Sequence, residues 1–433
     1  MKKIIIHASL FDGRNEHLRE NCNLVVEDNI VTDIFAGEFD PEEFGEIIDA
    51  AGKTVMPGLI DSHAHVCFTA PVPVLATMRN DEFVIRSARY AEEMLMRGIT
   101  TIRDAGGETV GLKNCIDNGF VKGPRIFPSN AMISQTCGHA DVRCYYSDEI
   151  WDGRHTNPLM RTGMFETCDG VPEVLKTVRR QLFLGASQIK IMASGGMGSF
   201  FDPLYTKQFT LEEMKAAVEA AKDYGTYVMA HIYTPETMER AAEAGVMSFE
   251  HATLMNEDNA KTIQEKGIWI CVCPQFGGNG GMKVTRSKPR PGLLGTVPKK
   301  AKPSIETMKA GLEHQAELIN KYDLKFLFGT DQFREEYVQD EPKDRQLADL
   351  HNFRKFYGNY RSLKAITGNF YELTKLTTYQ NPYPDGKVGV LEEGSYADLL
   401  IVNGNPLEDV ELLCDPDNMQ LIMKDGTIYK STL

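Results

Sequence analysis

Eight short apolar runs recur between residues 58 and 374, and amphipathic stretches separate most of them. The runs are LIDSHAH (59–65), TTIRDAG (100–106), RIFPSN (125–130), QIKIMASGG (188–196), TYVMAHIY (226–233), VMSFEHAT (246–253), IWICVCP (268–274) and KFLFGTDQ (325–332). Between them lie stretches such as EFVIRSARYAEEMLMRG (82–98), VPEVLKTVRRQLFLGA (171–186), TLEEMKAAVEAAKDYG (210–225) and MERAAEAG (238–245). Several end in or near glycine, as helix C-termini do. Strand–helix alternation calls for a parallel sheet. Eight such units predict a (β/α)8 TIM barrel over residues 58–374, with its active site at the C-terminal ends of the strands.

The two ends of the chain have another rhythm. KIIIHASLFDG, NCNLVVEDNIVTDI and EIIDAAGKTVMPG lie near the N-terminus, and ADLLIVNGNP and NMQLIMKDGTIYK near the C-terminus. These are short strands joined by turn residues. They predict a small β-sandwich domain composed of residues 1–57 and 375–433. A chain of 433 residues has room for a barrel and such a satellite. A net charge of −14 argues against nucleic acid or an anionic membrane as partner. Nine cysteines, scattered and odd in number, suggest reduced thiols and a cytoplasmic setting. The opening MKKIIIHASLFDG is too short an apolar run for a signal peptide or a membrane span.

The ionisable residues follow the barrel pattern. His63 and His65 end the first run, one residue apart, so in a strand both point to the same side. Lys190 lies inside the fourth run, His231 and His251 near the ends of the fifth and sixth, and Asp331 near the end of the eighth. A single histidine among these would be read as a hydrogen-bonded core residue. Together they predict a metal centre, since imidazole and carboxylate suit Zn²⁺ and related divalent ions. Two ions can share a hydroxide and polarise a carbonyl. Asp331 can accept the proton of that hydroxide and pass it to a leaving amine. Burial would leave Lys190 as a neutral amine. Such an amine adds CO₂ to form an anionic carbamate able to bridge two ions. The other reading of Lys190, a pair with Asp331 or a helix end, stays open at this point.

With these residues in view, the chain resembles the metal-dependent amidohydrolase superfamily over nearly its whole length. The resemblance rests on PGLIDSHAH, GITTIRDAGG, IKIMASGG, AHIY, FEHATL, GTDQF and the closing GKVGVLEEGSYADLLIVNGNPLEDV. QTCGHAD and IKIMASGGMGS are most similar to the branch of Xaa-Pro dipeptidases (prolidase-like enzymes) and carboxypeptidases of N-acyl amino acids. The resemblance implies two divalent ions, zinc by default. His63, His65 and Asp331 would hold one, His231 and His251 the other, and carboxylated Lys190 would bridge them. It also implies that His139 and Tyr233 contact the substrate, and that the protein is a homo-oligomer acting on a small molecule. The implied reaction is hydrolysis of the amide bond of a dipeptide or N-acyl amino acid, with Asp331 as general acid and base. The alternative is an amidohydrolase acting on a cyclic amide, carbamate, urea or xenobiotic amide, or a deaminase. Relatives that act only as scaffolds lose ligands, and here every ligand position is filled.

Three other features call for a reading. Residues 276–303 are glycine-rich and basic, with Lys283, Arg286, Lys288 and Arg290 among them, and read as a lid or a subunit contact. Glu335 and Glu336 lie in an acidic segment after Asp331 that reads as a solvated loop or a pocket lining. Cys271 and Cys273 share a strand face with Trp269 and read as core.

Overall fold

A computed structural model of the chain describes residues 2–70, 72–143, 158–197, 202–274, 303–332 and 345–433. The basic stretch from Lys283 to Arg290 and the acidic pair Glu335 and Glu336 lie outside the described residues. Five strands come first: β1 (Lys2–Leu10), β2 (Arg19–Glu27), β3 (Ile30–Ala36), β4 (Glu46–Asp49) and β5 (Thr54–Pro57). Ten short strands follow: β6 (Leu59–Ala64), β7 (Ile99–Asp104), β8 (Arg125–Phe127), β9 (Met132–Ser134), β10 (Phe165–Thr167), β11 (Ile189–Met192), β12 (Val228–Ile232), β13 (Ser248–His251), β14 (Trp269–Val272) and β15 (Phe326–Phe328). The chain ends with β16 (Ser395–Tyr396), β17 (Leu399–Val402), β18 (Met419–Lys424) and β19 (Thr427–Ser431).

The middle strands form the TIM barrel. They pair in parallel in the orders β6-β7-β8 and β10-β9-β11-β12-β13-β14-β15. The third expected strand is split. β8 pairs with β7, whereas β9 pairs with β11. Pro128 has no N–H to give a ladder, and Asn130 takes φ 57°, so pairing stops between the two pieces. The last strand meets the first through the Asp331 N–H, which donates to the His63 carbonyl at 2.8 Å. Asp61 reinforces that seam. It accepts the Thr330 N–H at 3.1 Å, the Thr330 hydroxyl at 2.7 Å and the Gln346 amide at 2.8 Å.

Helices pack outside, among them Asn80–Met96, Val171–Phe183, Leu211–Asp223, Glu257–Lys266 and Ile305–Lys321. Their boundaries follow local chemistry. Thr210 and Glu213 form a reciprocal capping box at the start of Leu211–Asp223. Gly245 and Gly267, at φ 92° and 65°, end the two helices before β13 and β14. No helix among the described residues is long and apolar enough to cross a membrane.

Both chain ends enter one sheet, in the order β16-β3-β2-β1-β5-β17-β18-β19, with β4 beside β1. Alternation decides what each face covers. Leu399 and Ile401 of β17 and Leu421 and Met423 of β18 enclose a separate core with Ile5, Leu24 and Val55. Their neighbours Leu400, Val402 and Ile422 belong to the core of the barrel instead. β17 is thus buried on both faces, which accounts for its unbroken LLIV.

A charged latch joins sheet and barrel. Arg125 of β8 is buried and donates to both Asp398 oxygens at 2.6 and 3.3 Å, and to Asp425. Its guanidinium lies 3.7 Å from the Tyr396 ring centroid. Arg125→Met is expected to destabilise the protein by about 3–5 kcal/mol, because it strands buried carboxylates. Adding Asp398→Leu to Arg125→Met should recover much of the loss. Urea unfolding midpoints of the two variants check both statements.

Candidate metal centre

β6 delivers two imidazoles to the barrel mouth. The rings of His63 and His65 stand edge to face, 5.3 Å apart. Asp331 comes from beyond β15, where φ 48° turns its side chain back toward them. Its Oδ1 lies 3.2 Å from His65 Nε2 and 3.5 Å from His63 Nε2, and its Oδ2 lies 3.9 Å from His251 Nε2. Burial alone would push the Asp331 carboxyl up. The surrounding His63, His65 and His251 outweigh it and hold the carboxyl well below the usual carboxylate range.

Hydrogen bonds fix both tautomers. His65 Nδ1 lies 3.0 Å from the Gly106 carbonyl, which can only accept. His63 Nδ1 lies 2.7 Å from a Glu250 carboxylate oxygen. Each ring therefore carries its proton on Nδ1 and turns Nε2 toward Asp331.

The parallel ladder places the other groups beside them. Lys190 on β11 is 1% exposed, and its Nζ lies 3.4 Å from His63 Nε2. Burial lowers its pKa, which favours the neutral amine. His231 stands on β12. His251 closes β13, and φ 73° there carries its ring back over the mouth instead of alternating away from it. His231 Nδ1 lies 3.0 Å from His251 Nε2. Burial pushes His63 well below an ordinary histidine. Burial, then His139, does the same to His231, and burial lowers His251 to about 4. The rings are neutral at physiological pH, the form in which histidine binds a metal.

The fold thus brings His63, His65, Lys190, His231, His251 and Asp331 together. These residues fit a divalent cation. His63, His65 and Asp331 each bring a ligand atom within 4.8 Å of the others, two imidazoles and a carboxylate, the donor types such ions take. His231 Nε2 is in addition buried without a hydrogen-bond partner among the described residues.

His139 and Tyr233 border this cluster. The His139 ring stacks on His231 at 4.1 Å and 12°. Its Nδ1 lies 2.8 Å from Asp202, which also accepts the Gly196 N–H at 3.0 Å. Gly196 lies against the ring so closely that a Cβ there would fall 1.8 Å from His139 Cε1. Tyr233 stacks on His251 at 4.9 Å and 4°. Burial, then the Asp331 charge, pushes its phenol well above the usual range, so it remains a proton donor.

Sequence reasoning missed the support beneath the histidines. Glu250 accepts from both sides: His63 Nδ1 at 2.7 Å, Arg103 at 2.9 Å to each oxygen, and the Ser248 hydroxyl at 2.6 Å. Arg103 and Glu250 are fully buried. Their signal was present as a charged residue inside an otherwise apolar strand, TTIRDAG and MSFEHA. Asp202 gave no such signal. Cys271 and Cys273 are buried free thiols among the core residues, as expected.

The profile of the amidohydrolase family matches residues 54–429. Ochratoxinase of Aspergillus niger is 29% identical over 452 aligned positions, covering 99% of this chain and 87% of the relative. A crystal structure of a prolidase complexed with N-methylphosphonate-L-proline superposes with a TM-score of 0.87 at 30% identity, covering all of both chains. A Xaa-Pro dipeptidase with methionine bound in its active site gives 0.79 at 27% identity, also over all of both chains.

Two outcomes follow from the geometry. Glu250→Gln should weaken metal binding by about 10–100-fold, because a ligand histidine loses its orienting carboxylate. Competition with a chromogenic chelator measures this. The second concerns metal-stripped protein. The folded-state pKa values of His63, His231 and His251 lie below the unfolded value of about 6.5. The stability tied to their neutral forms is present above about 6.5 and lost as pH falls toward the depressed values. Urea midpoints of stripped protein should therefore drop as pH is lowered from about 6.5 to about 4.

Proposed function

The chain belongs to the amidohydrolase family, and on that premise we propose that it is a binuclear metal hydrolase of dipeptides or N-acyl amino acids. The family hydrolyses carbon–nitrogen bonds. The observation that carries the narrower reading is the convergence of six ligand-type residues with His139 and Tyr233 stacked against two of them. The similarity to a prolidase that holds a prolyl phosphonate supports the substrate class.

In this reading His63, His65 and Asp331 would hold one divalent ion and His231 and His251 the other, with zinc the default. Lys190 would serve both once its neutral amine had added to CO₂, with formation of a C–N bond and release of a proton, giving an anionic carbamate. Bound there, the ions would supply a water acidic enough to ionise near neutral pH and would polarise the scissile carbonyl.

The chain's own groups do the rest. Asp331, held as a carboxylate, takes the proton of the attacking water. It then carries that proton to the amine nitrogen, so the C–N bond breaks to a neutral amine. Tyr233 offers its O–H to the substrate carbonyl or to its free carboxylate. His139, oriented by Asp202 and packed against Gly196, meets the substrate from the other border of the cluster. Burial around the cluster excludes bulk water and strengthens each of these interactions.

A second reading, hydrolysis of a xenobiotic amide at the same site, is favoured by the near-full-length similarity to ochratoxinase. A panel of Xaa-Pro and other dipeptides, N-acyl amino acids and aryl amides, run on protein of measured metal content, separates the two. Release of a free amino acid from dipeptides with two metals per chain is the expected result. One metal or none, with no dipeptide cleaved, would overturn it. Asp331→Asn should lower kcat by about 10²–10⁴-fold or more through loss of general acid–base catalysis. Its metal content should stay largely intact, and near-normal turnover would refute the role.

A further inference from the structure

β14 enters the barrel with Trp269, Cys271 and Cys273 on its inner face. Neither thiol is used by the mechanism above. Cys271 is completely buried and Cys273 is 2% exposed. Both are free thiols; the Cys273 thiol donates weakly to the Cys271 carbonyl at 3.7 Å, and the two side chains also hydrogen-bond to each other. Cys273 lies close to both Lys190 and Tyr233, and burial keeps its thiol protonated in the absence of an ion. Gly329 lets β15 pass close by: a Cβ there would fall 2.5 Å from His63 Cβ and 2.6 Å from Cys271 Sγ.

One ligand atom from each of His63, Cys271 and Cys273 therefore lies within 4.8 Å of the others, all buried. Metal–sulfur bonds of about 2.3 Å and metal–nitrogen bonds of about 2.0–2.1 Å require tetrahedral ligand atoms to lie somewhat under about 4 Å apart. Small side-chain rotations close that difference. The donor set is two sulfurs and one imidazole, where the neighbouring set of His63, His65 and Asp331 offers two imidazoles and one carboxylate. Softness separates the two: thiolates select d¹⁰ ions that bind sulfur, and the nitrogen–oxygen set takes harder divalent ions. His63 belongs to both sets, so the two cannot be filled independently.

We propose that His63, Cys271 and Cys273 form a thiophilic metal site beneath the hydrolytic centre, which takes soft d¹⁰ ions such as Cd²⁺ or Cu⁺ and disables the enzyme by drawing His63 away. The site itself needs only the three side chains. The loss of activity rests on the reading that His63 serves the hydrolytic centre. Binding joins each sulfur to the ion and releases the thiol protons to solvent, with no change of oxidation state.

The test uses full-length, zinc-loaded protein carrying Cys115→Ser and Cys137→Ser, since both of those thiols are exposed. Cadmium chloride is the probe. Ultraviolet thiolate-to-cadmium charge-transfer absorption and ¹¹³Cd NMR report sulfur ligation directly. The expected result is one equivalent of sulfur-ligated cadmium per chain. The charge-transfer band should vanish in Cys271→Ser and in Cys273→Ser, with Cys→Ala at each position as the partner variant where serine perturbs folding. Cadmium inhibition should weaken by about 10–100-fold or more in the same variants, the scale of a disrupted site. A ¹¹³Cd resonance confined to the nitrogen–oxygen range, or a band that survives removal of both thiols, would overturn the site. If the parent cleaves nothing in the amide panel, the hydrolase reading fails on that result alone, and the spectra still decide the thiol site.

Discussion

One guanidinium, closed off from water, organises the interior of the barrel. Arg103 has five N–H donors, and all five are used. Nε donates to the Ser62 carbonyl at 2.6 Å, one terminal nitrogen to Tyr227 and Ser248 at 3.3 and 3.0 Å, and the other to both oxygens of Glu250 at 2.9 Å. These bonds tie β6, β7, β13 and the start of β12 into one unit. Taking both charges out of water costs several kcal/mol each, about what their attraction returns only when every donor is satisfied. The pair is thus weak as a source of stability and strong as a source of position. Its last oxygen orients His63, so the ligand geometry at the mouth is inherited from the ion pair below it.

The same burial that makes this pair expensive makes the site ready. Imidazoles in a dry pocket stay neutral, and burial lowers the Lys190 pKa. Asp331 is held charged instead, because three rings surround it. One environment therefore holds a deprotonated acid beside neutral imidazoles and shifts Lys190 toward its neutral amine. Tyr233 completes the set as the group that keeps its proton.

Much of this was legible in the residues. Strand–helix rhythm located the barrel, and all eight apolar runs contain strand. RIFPSN shows where the reading stopped short. A proline and an asparagine at φ 57° break that strand, and the continuation Met132–Ser134 pairs with a different neighbour. His63 and His65 were visible because a period of two puts them side by side. His251 was visible as a histidine near a strand end, but not the reason it points inward. Plain alternation would aim Glu250 inward and His251 away, and a positive φ resolves the conflict. The Asp202–His139 contact was out of reach, since it joins two loops 63 residues apart with no shared periodicity.

The seam between β5 and β17 has a consequence for how the molecule comes into being. It pairs Thr54–Pro57 with Leu399–Val402, and β18 and β19 then extend the sheet to Ser431. On the ribosome the first five strands emerge at the outset, yet their central partner arrives only when residue 402 of 433 has been made. Loop closure over that separation is slow compared with local helix formation. The nascent chain must therefore carry the open edge of β5, Thr54–Pro57, throughout synthesis of the barrel. That waiting edge, more than the finished protein, is where chaperones and aggregation would compete for it.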